Sequence, residues 1–323
     1  MDQINKEITK NKVICIGTAL IDSIIRGFDP EPVSASGYRA ESCSLNIGGE
    51  AVNEAIALAS LGTDTGILCF LGKDSAGRMV ADALRRHGID TGGIIWEDEY
   101  STPVTTMFVN ADGTRKSITN RAHQYNFHPE NHMEIFGNAQ AVILGSLFRA
   151  PFDDVSIIRK VVSEAKEKGL LVFADTKLPN FRTLSLADLS DVLPLIDYIT
   201  PNEDEARYYS GKDEAQEMAD VFLSCGVKNV IIKLGGKGCL FRNRDITLKL
   251  PAYRIDAVDA TGAGDNFIAG FASEILRGSS ISDSLQFANA CGALCSTMVG
   301  SGTALKSREQ VIKFMKNNTD LMK

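Results

Sequence analysis

Short apolar, β-branched runs alternate with longer amphipathic segments along most of this chain. The runs "KVICIG" (12–17), "TGILCFLG" (65–72), "AQAVILGS" (139–146), "GLLVFAD" (169–175), "IDYITPN" (196–202) and "VKNVIIKLG" (227–235) have strand length and mostly end in Gly, Asp or Asn. Between most of them lie segments with helical spacing of apolar residues, such as "SAGRMVADALRRHG" and "FDDVSIIRKVVSEAKEKG". The second ends in a lysine-rich turn followed by glycine, a helix stop. Strand and helix in strict alternation predict a doubly wound α/β fold, a mostly parallel sheet with helices on both faces.

Two stretches, 19–47 and 94–121, break the rhythm with alternating patterns and turn dipeptides but no long helix. "VTTMFVNADGTRKSIT" reads as a hairpin, with Asp112-Gly113 supplying the positive φ its turn requires. Both insertions leave the carboxyl ends of early strands, so together they predict a small β-sheet lid over the crevice where doubly wound folds bind ligands. With no internal repeat or low-complexity tract, residues 1–323 are expected to form a single domain carrying this lid.

Composition narrows the function classes. A net charge of −7 argues against a nucleic-acid footprint or an anionic-membrane binder. No apolar run reaches the ~18 residues of a membrane span, and "MDQINKEITKNK" lacks the apolar core of a signal peptide, so a cytoplasmic location is expected. Seven cysteines, an odd number with no CxxC pair, read as reduced thiols; Cys291 and Cys295, four apart on a predicted helix, read as small buried residues rather than a metal pair. His128 and His132 have Pro129 between them and no third ligand in view, so they predict no metal site.

The chemistry concentrates in "DAVDATGAGDNFIAGFASEIL" (256–276). Gly262, Ala263 and Gly264 can turn backbone N–H groups inward together at the start of a helix, an anion hole without lysine. Asp265 would be a poor phosphate ligand there. It suits a base that takes the proton of a hydroxyl attacking a γ-phosphoryl group held beside it. Taken alone, the same stretch could be only a helix-initiating turn with Asp265 as N-cap.

The sequence resembles the ribokinase-like (PfkB) family of carbohydrate kinases. "DATGAGDNF" is similar to that family's D-T-x-G-A-G-D signature and "NIGGEAVNEAIALASLG" to its G-G-x-x-x-N motif; "LGKDSAGR", "TPNEDEA", "VIIKLGGKG" and "FANACGA" follow in family order, so the likeness runs from Gly48 to Ala293. The resemblance implies ATP-dependent phosphorylation of a sugar hydroxyl, with Asp265 as base and Gly262, Ala263 and Gly264 as anion hole. It implies sugar contacts from Asp22, Gly48, Gly49 and Asn53, and nucleotide contacts from Asn202, Lys233, Gly235, Gly238 and Asn289. Glu205, three residues after Asn202, would organise Mg2+ largely through water. Asp259 and Thr261 match a K+ site found in some members.

Departures bear on the acceptor. Glu50 stands where ribokinases usually carry lysine, and "GSLFR" stands where they read a glutamate, which weakens ribose as substrate. Glu50 would repel a carboxylate, whereas Arg115, Arg121, Arg149 or Arg182 could bind one as in 2-keto-3-deoxygluconate kinases. A fructokinase-like hexose is therefore favoured, with a sugar acid, ribose or a nucleoside as alternatives and a non-catalytic sugar sensor disfavoured. An apolar outer face on the lid would favour a homodimer.

Overall fold

The computed structural model describes residues 13–27, 40–109, 115–120, 126–298 and 305–318. Its strands are β1 (Val13–Ile16), β2 (Leu20–Arg26), β3 (Ser42–Gly48), β4 (Thr65–Gly72), β5 (Asp90–Glu97), β6 (Val104–Val109), β7 (Arg115–Thr119), β8 (Ala141–Leu147), β9 (Leu171–Thr176), β10 (Tyr198–Ile199), β11 (Asn229–Lys233), β12 (Cys239–Arg242) and β13 (Thr247–Leu250). The helices are α1 (Glu50–Ser60), α2 (Ser75–Arg86), α3 (Val155–Glu167), α4 (Glu203–Ser210), α5 (Ala215–Ser224), α6 (Ala263–Leu276), α7 (Ile281–Ser296) and α8 (Arg308–Asn317).

Nine strands form one sheet in the order β13-β12-β11-β10-β9-β8-β1-β4-β5. All neighbours from β11 to β5 pair in parallel, while β12 and β13 add an antiparallel edge. The central strand shows how the two faces are covered. Val13 and Cys15 join the core beneath α1, α6 and α7, and Ile14 and Ile16 join the core beneath α3 and α5. A strand buried on both faces needs a continuous apolar run, as "VICI" provides.

The other four strands form a separate sheet, β3-β2-β6-β7. The pairing of β6 with β7 is antiparallel, from Thr105 opposite Thr119 to Val109 opposite Arg115, as the hairpin pattern predicts; the turn residues Asp112 and Gly113 lie outside the described residues. The second insertion is shorter than expected, because 94–97 belong to β5 at the edge of the large sheet. Its Ile94 and Trp96 pack on one core and Ile95 on the other, so β5 is covered on both faces although it lies at the edge of the sheet.

One cross-strand row of the small sheet runs Asn46, Asp22, Thr105, Thr119, and the next runs Leu45, Ser23, Thr106, Ile118. Adjacent rows point to opposite faces. The polar row carries Asp22, which lines the central cavity, and the other row presents exposed Leu45 and Ile118.

Candidate active site

The carboxyl ends of β9 and β11, the first turns of α1 and α6, and the start of β2 enclose one cavity of about 910 Å3. Gly262 sets its floor. With φ 77° it is the N-cap of α6, a left-handed conformation glycine adopts without strain. Asp265 is therefore the third helical residue, not the N-cap. The backbone N–H of Ala263 already donates to the Ala260 carbonyl at 3.1 Å, so it leaves the expected set of inward donors. The N–H groups of Gly262 and Gly264 donate to no backbone carbonyl among the described residues, and both residues line the cavity.

Asp265 is only 4% exposed. Asn53, on the first turns of α1, donates its Nδ2–H to Asp265 Oδ2 at 2.7 Å, and Lys177 Nζ stands 3.8 Å from Oδ1. Burial raises the Asp265 proton affinity; Lys177 and the Asn53 hydrogen bond oppose this, while Glu50 and Asp175 add to it. A carboxylate tuned upward in this way is a better proton acceptor near neutrality.

Lys177 was not singled out by the sequence. It follows β9 in "ADTK", and burial works to lower its pKa, but Asp265, Asp175, Glu50 and Glu205 outweigh burial and hold the ammonium charged. Asp175, fully buried at the end of β9, accepts from Lys233 Nζ at 2.5 Å and from the Thr200 hydroxyl at 2.7 Å. A lysine or aspartate at a strand end carries no periodic signal. Its residue type beside "LVFA" was the one clue available.

Asp22, Gly49, Glu50 and Asn53 line the cavity's other end. Gly48 does not. It pairs with Leu20 across the small sheet, and a Cβ there would fall 2.2 Å from Asp22 Oδ2, so its missing side chain makes room for that carboxylate. Burial first, then the negative charges of Glu50, Asp259 and Asp265, push the Asp22 carboxyl up to about 6. The Thr18 hydroxyl donates to Glu50 Oε2, so Glu50 is held at the cavity wall.

On the opposite side Asn202 caps α4 in a capping box: its side chain accepts from Glu205 N–H, and Glu205 Oε2 accepts from Asn202 N–H at 2.9 Å. Thr176 also donates to Glu205 Oε2 at 2.8 Å, and burial raises this carboxyl's pKa. Asn202 lines the cavity and Glu205 does not, an arrangement suited to a metal that keeps its own waters between itself and the carboxylate. Lys233, Gly235, Gly238 and Asn289 line the same wall, with Asn289 Nδ2–H donating to the Pro251 carbonyl at 3.3 Å. Thr261 donates both its N–H and its hydroxyl to Asp259 Oδ1, and only Thr261 of the two reaches the cavity.

The arginines considered for a carboxylate acceptor divide. Arg182 pairs with Asp154 and Arg149 Nε–H donates to the Leu178 carbonyl; neither lines the cavity. Arg121 and the side chain of Arg115 lie outside the described residues. His128 bonds Glu130 and Asn126 at the surface, and Cys291 and Cys295 are buried, with Cys295 Sγ–H donating to the Thr261 carbonyl.

A ribokinase-like sheet with this cavity at its strand ends is that of a sugar kinase. The chain belongs to the pfkB family of carbohydrate kinases, whose model matches residues 10–308. It is 29% identical to fructokinase-1 of Oryza sativa subsp. japonica over 94% of this chain and 98% of that protein. It is 28% identical to a ribokinase of Staphylococcus aureus over 93% and 98% of the two chains. Among solved structures it is similar to Arabidopsis thaliana ribokinase complexed with ribose and ATP, with TM-score 0.82 and 25% identity over 95% of this chain and 99% of that one. An E. coli structure in complex with ATP and Mg2+ gives TM-score 0.79 and 25% identity, with the same coverage.

Proposed function

We propose that this chain transfers the γ-phosphoryl group of ATP to a hydroxyl of a hexose, in the manner of a fructokinase, with Asp265 as the base. The observation that carries the proposal is a buried carboxylate at the third position of α6, bonded to Asn53 and paired with Lys177 at 3.8 Å on the wall of a cavity large enough for both substrates. Asp22 accepts hydrogen bonds from vicinal hydroxyls of the acceptor, Asn53 donates and accepts beside it, and Gly49 lets the backbone approach. As the acceptor oxygen attacks phosphorus, its proton passes to Asp265. Charge growing on the transferred group meets the N–H groups of Gly262 and Gly264, the positive end of α6 and the ammonium of Lys233.

The adenosine moiety lies along Gly235, Gly238 and Asn289. Asn202 and Glu205 would hold the water shell of Mg2+, which would supply positive charge to the phosphates. Asp259 and Thr261 border a K+ site behind the anion hole. A hexose is favoured over a sugar acid because Glu50 lines the acceptor end while Arg149 and Arg182 are engaged elsewhere. The small sheet closes over the acceptor and keeps water from the γ-phosphoryl group, and its outer face joins two copies in a homodimer. The test is ADP release across neutral ketoses, aldoses, pentoses, aldonic acids and nucleosides at equal concentration with Mg2+ and K+. The highest kcat/KM is expected for a neutral hexose. A higher value for an aldonic or ketodeoxy acid would replace this reading with a sugar-acid kinase.

A further inference from the structure

Next to Asn53, on the buried side of α1, Glu54 is fully buried, and neither of its carboxyl oxygens has a hydrogen-bond partner among the described residues. No role assigned above uses it. Its carboxyl occupies space left by a glycine: a Cβ on Gly145 would stand 3.0 Å from Glu54 Oε2. The adjacent Ser146 hydroxyl is also buried without a partner. The second free acceptor is Asp175 Oδ2, which faces the Lys177 ammonium at 3.7 Å, beyond hydrogen-bond reach. Carboxylate oxygens of Glu54, Asp175 and Asp265 all lie within 4.8 Å of one another.

Leaving one buried polar group unsatisfied costs about 1–3 kcal/mol, more when it is charged. Several such oxygens aimed at one another are a stronger demand for a ligand than any one alone. When ionised, the carboxylates of Glu50, Glu54, Asp175, Asp265 and Glu205 outnumber the ammonium groups of Lys177 and Lys233, which leaves three negative charges. Oxygen-only donors select a hard cation. At Mg2+–O or Ca2+–O lengths of roughly 2.1–2.6 Å, two oxygens on one ion stand about 3–5 Å apart, a range compatible with three oxygens that all lie within 4.8 Å of one another.

We infer that Glu54, Asp175 and Asp265 form a buried site for a hard divalent cation that loads without nucleotide and is separate from the metal carried by ATP near Asn202 and Glu205. Lys177 supplies charge to this cluster but cannot satisfy its free oxygens.

The test uses the full chain stripped of metal by a chelator, without nucleotide, with Mn2+ as the probe. Wild type is expected to bind Mn2+ with one site lost, or weakened at least tenfold, in Glu54→Gln. Mn2+ should raise the melting temperature of wild type and not of the variant. Anomalous diffraction from nucleotide-free wild-type crystals with Mn2+ should place an ion among the three carboxylates, a result that does not depend on the variant folding. No anomalous peak there, or equal Mn2+ stoichiometry and affinity in wild type and Glu54→Gln, would overturn the site and leave Glu54 as a buried neutral acid. ADP release is read separately, so loss of this site leaves the kinase assignment standing.

Discussion

Asp22 is the residue whose environment makes the most distinct pH prediction. With its carboxyl held near 6 by burial and by neighbouring negative charge, it is ionised above that pH and becomes protonated as the pH falls through it. A protonated carboxyl loses capacity to accept from two hydroxyls, so kcat/KM for the sugar should drop about tenfold per pH unit below 6. Asp22→Asn should lower kcat/KM and lose the limb that bends near pH 6, leaving only the acid limb imposed by the base Asp265. An unchanged acid limb in the variant would detach Asp22 from the acceptor. The residue types that carry motifs, Asp265, Gly262 and Asn53 among them, were legible because glycine turns and helix starts leave a mark in sequence. Lys177, Asp175 and Glu54 left none. Their proximity depends on where β9 ends between β10 and β8 and which side of α1 faces inward, and register decides both.

At the scale of elements, the continuous apolar runs of β1, β4, β8 and β9 were readable because strands buried on both faces must be apolar throughout. Strands toward the two ends of the sheet escaped the pattern. β12 and β13 were missed since "CLFR" and "TLKL" mix charge into short runs, and β5, "DTGGIIWE", was assigned in part to the insertion. The turn into α6 was placed correctly at its glycines, though the helix begins at Ala263 rather than near Asp265. Gly48 links β3 to the site through the space it leaves. Gly48→Ala would push a methyl group to within 2.2 Å of Asp22 Oδ2, so the acceptor KM should rise at least tenfold while the ATP KM stays within about twofold. Equal rises in both constants would mean that Gly48 supports the fold generally and not the Asp22 carboxylate.

The whole molecule is a large sheet whose strand ends border the cavity and a small sheet whose polar row carries Asp22 into the same cavity. The opposite row of the small sheet exposes Leu45 (59%) and Ile118 (66%), apolar side chains at its two ends in one register. The proposed homodimer would cover this row. Sedimentation at micromolar concentration should show a dimer, and Leu45→Lys combined with Ile118→Lys should shift it to monomer. A wild type that sediments as a monomer would contradict the homodimer and leave the cavity's chemistry untouched. That chemistry is tested most directly by kcat for Asp265→Asn with the best hexose acceptor, measured alongside ATP affinity in the same protein. The account predicts a loss of about a thousandfold or more in kcat, roughly 4 kcal/mol of transition-state stabilisation, with ATP affinity within about threefold of wild type. Retention of a tenth of the wild-type kcat would contradict it, because the reaction would then be proceeding without Asp265 as its base.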